Sequence, residues 1–69
     1  MNCLGARIRA LREKKGVSSV ELIRRLQIGG WDIDPAVYTR IEQGQRMLTD
    51  WEVLACLSAM GKSWADLEE

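Results

Sequence analysis

Apolar residues recur along this chain at spacings of three and four, interrupted by glycines, and the pattern reads as a series of short helices. Leu4, Ile8 and Leu11 line one stripe of a first helix over residues 4–15, with arginines and lysines between them. Gly16 is a C-terminal stop, and Lys14 and Lys15 suit the negative end of the helix dipole. Ser18 followed by Glu21 has the form of a capping box, and Val17 with Leu22 makes the matching hydrophobic staple. A second helix then runs over residues 19–27, burying Leu22, Ile23 and Leu26 and turning Arg24 and Arg25 outward.

Gly29 and Gly30 break that helix. In the loop that follows, Trp31 and Ile33 either fold back over the core edge or present an aromatic finger to a partner. Asp34 can cap a third helix over residues 34–43, and Pro35 suits its first position, where a missing N–H is no loss. Tyr38 and Ile41 stand three apart and point at a core, whereas Ala36, Thr39, Arg40 and Gln43 fall mostly on the other side. Gly44 ends the helix, and Gln45 and Arg46 lie in the exit loop. Thr49 with Glu52 repeats the capping box, and Leu48 with Val53 repeats the staple. In the fourth helix Trp51, Leu54, Leu57 and Ser58 or Met60 mark the stripe, with Ala55 and Cys56 beside them and Gly61 as the stop. Ser63 caps a last turn, residues 64–67. The expected architecture is a single all-α domain of five short helices over residues 1–69.

Composition narrows what such a domain does. Its 69 residues support only a thin core, yet an apolar share of 46% is too high for a disordered chain. No apolar run approaches the roughly 20 residues of a membrane helix, and the start lacks the basic and apolar regions of a signal peptide. A cytoplasmic location is the expectation. Cys3 and Cys56 allow one bridge at most, and Cys56, within an apolar helical pattern, reads as a buried thiol. The chain has no histidine, no glycine-rich phosphate loop and no clustered metal ligands. Asp34 is explained by capping and Asp32 by a turn, so the expectation is a non-enzyme without cofactor, metal or evident small-molecule ligand. Net charge is zero, but its distribution is uneven. Residues 1–28 carry seven cations against two acids, a net of +5, and residues 29–69 carry three against eight, a net of −5. The first half forms either a basic pole for an anionic partner or simply a solvated helix face.

The residues from Gly5 to Ser18, then Glu21-Leu22, Arg25-Leu26, Arg40-Ile41-Glu42-Gln43-Gly44, Leu54 and Met60-Gly61, resemble the Cro and phage-repressor (XRE-type) helix-turn-helix family. The resemblance covers nearly the whole chain and implies a five-helix, lambda-repressor-like fold whose third helix enters the DNA major groove. It implies an ion pair between Arg12 and Glu42. It also implies phosphate contacts through Ser18 and Ser19 at the start of helix two, and DNA contacts from Arg40, Gln43, Gln45 and Arg46. Three departures stand out. Residues 29–33 lengthen the turn between helices two and three, similar to a variant of the family with a Gly-Trp-Asp turn. Ile23 and Gln27 replace the usual small residue and turn glycine. At the positions where the family often reads bases stand Pro35 and Ala36, which leaves thymine-methyl contact from Ala36 or Thr39, plus Arg40, with base reading either weak or shifted to Gln43, Gln45 and Arg46.

The function this implies is a sequence-specific DNA-binding transcriptional regulator, reading double-stranded DNA with residues 34–43 as a homodimer. Trp64 and Leu67, with Met60, are expected to form the apolar dimer patch, the alternative being that both pack inward. The competing reading is a protein-interaction module, antitoxin-like or adaptor, on the same fold. Zero net charge and the acidic second half favour it.

Overall fold

A computed structural model describes residues 4–67, which form five helices: α1 (Leu4–Lys15), α2 (Ser19–Ile28), α3 (Pro35–Glu42), α4 (Asp50–Met60) and α5 (Trp64–Leu67). Among the described residues there is no strand, and no helix is long and apolar enough to cross a membrane. The fold is all-α, as the periodicity predicts. Cys3 and the terminal acids Glu68 and Glu69 lie outside the described residues.

Local chemistry sets the helix ends. Ser18 stands in extended backbone and accepts a hydrogen bond from the Glu21 N–H at 3.1 Å, and Asp34 accepts from the Ala36 N–H at 2.7 Å. Thr49 N–H donates to Glu52 Oε1 at 3.0 Å, the carboxylate half of the predicted capping box. Gly44 takes φ +76°, which lets the Gln45 N–H close onto Arg40 O at 2.9 Å and turns the chain out of α3.

α1 packs against α3, α4 and α5, while α2 packs against α4 and α3, so α1 is the element around which the others gather. The core takes Ile8 and Leu11 from α1, Leu22, Ile23 and Leu26 from α2, and Tyr38 and Ile41 from α3. Ile33 is buried and Trp31 packs half-buried against the core, so the long turn folds back over it rather than projecting as a finger. Gln27 Nε2 donates to Ile33 O at 3.1 Å and braces this turn.

Several expectations are corrected. The buried stripe of α4 is Val53, Cys56, Leu57 and Met60, with Glu52, whereas Trp51 and Leu54 remain 56% and 50% exposed. Nearly every position of α4 is apolar or small, so periodicity alone does not choose its inner face; α1 and α2 do. Trp51 instead sets its ring edge-on to Trp31, centroids 5.1 Å apart. Met60 and Leu67 are buried, and Arg7 Nη1 holds Leu67 O at 3.0 Å, so the expected patch of Met60, Trp64 and Leu67 does not exist. Trp64 alone of the three stays 40% exposed. Leu4, at the start of α1, is also exposed. Cys56 is a free, buried thiol; burial, with Glu52 and Glu42 adding, pushes its pKa up to about 12 and keeps it neutral.

Gly5 marks the closest approach of α1 to α3. A Cβ there would sit 1.7 Å from Ile41 O and 2.7 Å from Ile41 C, both backbone atoms that no rotamer can move. Alanine ordinarily gains roughly 0.5–1 kcal/mol over glycine inside a helix. At this position the sign reverses: Gly5→Ala forces α1 off α3 and costs about 2 kcal/mol or more, read as a lower melting temperature.

Candidate nucleic-acid interface

The outer surface of α3 is a stripe of small and polar side chains. Ala36, Thr39, Arg40 and Gln43 recur at intervals of three and four and are exposed, while Tyr38 and Ile41 face inward. Thr39 Oγ1 donates to Pro35 O at 3.0 Å, so the hydroxyl is already committed as a donor. The Arg40 guanidinium makes no hydrogen bond or ion pair to any described residue.

What holds this stripe in place is the polar network behind it. Arg12 Nε donates to Glu42 Oε2 at 2.7 Å and Nη2 to Oε1 at 3.1 Å, a bidentate pair whose side chains are about nine-tenths buried. The third branch, Nη1, donates to Val17 O at 2.9 Å, and the Tyr38 hydroxyl donates to Glu42 Oε2. One guanidinium therefore ties α1, the α1–α2 turn and the end of α3 together. The hydrogen bond to Glu42, outweighing burial, holds Arg12 above its usual range. Burial, reinforced by the hydrogen bond to Glu42, pushes the Tyr38 phenol far above its usual value, so it serves as a neutral donor. The pairing of Arg12 with Glu42 implied by the resemblance is present.

A groove of about 250 Å³ opens beside the network, lined by Arg9, Arg12, Ser19, Tyr38, Thr39, Glu42 and Gln43. It joins the start of α2 to the outer stripe of α3, so Ser19, Thr39 and Gln43 meet there. Ser18, the cap of α2, is exposed next to Ser19. Arg9 was not singled out from the sequence. The signal was available: it stands three residues before Arg12, on a neighbouring part of the same helix face.

Gln45 and Arg46 lie exposed in the exit loop, but Arg46 has a partner. Its Nη1 and Nη2 fork onto Glu52 at 3.2 and 3.0 Å, and Glu52 is almost wholly buried. Burial alone would raise the Glu52 pKa. The hydrogen bonds from Arg46 and the Thr49 N–H win and hold the carboxylate below its ordinary range. Three further arginines are similarly engaged. Arg9 pairs with Glu13, Arg24 and Arg25 share Glu21, and Arg25 also donates to Ala59 O. Within residues 1–28 four of the seven cations are thus paired with three carboxylates, Glu13, Glu21 and Glu42, so the expected basic pole is reduced but not cancelled. Among the described residues no three of His, Cys, Asp and Glu gather as metal ligands.

A family model described as a helix-turn-helix domain matches residues 4–69. No curated protein and no solved structure matches the chain.

The network behind the stripe is open to a direct test. Removing one member of a buried ion pair strands the other charge and costs roughly 3–5 kcal/mol, against at most about 1 kcal/mol for an exposed pair. Glu42→Gln is expected to fall in the first class when denaturant melts are compared with the parent protein.

Proposed function

The chain belongs to the helix-turn-helix domain family, and we propose on that premise that it is a transcriptional regulator reading a specific duplex sequence in the major groove. The observation that carries the reading is the exposed stripe of α3, held from behind by Arg12 and Glu42 and joined by one groove to the start of α2. In this reading α3 enters the groove. Ala36, Thr39, Arg40 and Gln43 face base edges, while Ser18 and Ser19 approach phosphate at the helix N-terminus. Gln45 and Arg46 lie along the flanking backbone, where Arg46 offers the N–H groups its fork on Glu52 leaves over. The protein works as a homodimer on paired half-sites, because one eight-residue helix covers too little DNA alone. A DNA partner makes the cytoplasm its site of action.

A second reading has its own observation. Trp51 on α4 is half exposed and lines, with Gly30, Trp31 and Ala55, a concavity of about 300 Å³, and Leu54 is half exposed on the same helix. That surface suits a protein partner better than an anion, and it supports the interaction module.

Salt separates the two. Each phosphate neutralised contributes about −0.9 to the slope of log affinity against log salt. With most cations tied up internally, about two contacts per protomer are expected, and a dimer then shows a slope between about −3 and −4. Fluorescence anisotropy on a duplex across a salt series measures it. Absence of binding to any duplex at low salt favours the interaction module instead.

A further inference from the structure

The fold treats its arginines unequally. The chain contains seven, and six are held by other groups: Arg7 by Leu67 O, Arg9 by Glu13, Arg12 by Glu42, Arg24 and Arg25 by Glu21, and Arg46 by Glu52. Arg40 is the exception among the described residues, and it stands on the outer stripe of α3, four residues after Ala36 and three before Gln43. The guanidinium is a planar fork whose parallel N–H groups match the O6 and N7 acceptors of guanine. Arg46 would have to leave Glu52 to use its fork in the same way, stranding a buried carboxylate. Its neighbours Ala36 and Thr39 do not compete with Arg40. Ala36 has no polar side-chain atom, and its small size lets the helix come close to the groove floor. The Thr39 hydroxyl is already donating to Pro35 O.

Resting on the reading of α3 as the major-groove element, we propose that Arg40 is the specificity-determining residue of this protein, reading a guanine through O6 and N7. Arg46 instead holds the exit loop to α4. The discrimination of the half-site is then concentrated at one guanine, with Ala36 and Thr39 adding shape and apolar contact.

The test is selection of bound duplexes from a random pool by the full chain and by Arg40→Ala, Arg40→Lys and Arg46→Ala. Arg40 is exposed and unpaired, so its variants keep the parental helical circular dichroism. The parent is expected to enrich one guanine per half-site, and that preference disappears in Arg40→Ala, fades in Arg40→Lys and persists in Arg46→Ala. Replacing the guanine by another base weakens the parent roughly 5- to 150-fold and leaves Arg40→Ala nearly unaffected. Substituting 7-deazaguanine, which lacks the N7 acceptor, weakens only chains that retain Arg40. If Arg40→Ala keeps the parental sequence preference, binds all duplexes more weakly and has a salt slope shallower by about one, then Arg40 meets phosphate and the proposal is overturned. Binding without any guanine preference also overturns it while leaving the DNA reading intact. Failure of the parent to bind any duplex at low salt overturns both.

Discussion

The bidentate pair between Arg12 and Glu42 determines where α3 stands, and the rest of the structure is arranged so that it can form. Glu42 is the last residue of α3 and Arg12 lies in the last turn of α1, so the pair fixes both the position and the rotation of the short helix. A guanidinium and a carboxylate this far from solvent are tolerable only when their remaining hydrogen-bonding capacity is used. Val17 O and the Tyr38 hydroxyl use it, and no described buried side-chain N or O is left without a partner. Gly5 is the steric counterpart. Without a side chain there, α1 comes close enough to the Ile41 carbonyl for the Arg12 side chain to reach Glu42.

Around this centre the chain spends its charges on itself. Among the described residues, three ion pairs on the surface are short-range within α1 or α2, and the two that join separate elements, Arg12 with Glu42 and Arg46 with Glu52, bracket α3 at its end and its exit. Exposed pairs add little stability, so the chief effect of the local ones is to lower the outward positive potential. The same economy leaves Trp51 and Leu54 as the most apolar part of the α4 surface, on a helix that packs against α1 and α2.

How much of this was legible in the sequence depended on how local the cause was. The caps at Ser18, Asp34 and Thr49 and the turn at Gly44 are decided within a few residues, and their signals led to five helices in the right places. The inner face of α4 was misread because Trp51, Val53, Leu54, Cys56, Leu57 and Met60 offer apolar stripes on more than one side. Only the packing of α1 and α2 chooses among them. The burial of Leu67 comes with the packing of α5 on α1, where Arg7 holds the Leu67 carbonyl from sixty residues away in sequence, which no window along the chain can see. At the candidate site, the stripe Ala36, Thr39, Arg40 and Gln43 came directly from helical period. That Arg46 is engaged and Arg40 is not came only from the fold, because Glu52 lies beyond a loop whose path the sequence does not specify.

The central claim is that the stripe of α3, together with the start of α2, is the surface that meets DNA. Backbone amide shifts of the isotopically labelled chain, followed by NMR as a duplex is added at low salt, test it most directly. The account predicts that the largest changes cluster at Ser18, Ser19, Ala36, Thr39, Arg40 and Gln43, with Trp51 and Leu54 little affected. Changes concentrated instead at Trp31, Trp51 and Leu54, with the α3 stripe silent, would contradict it.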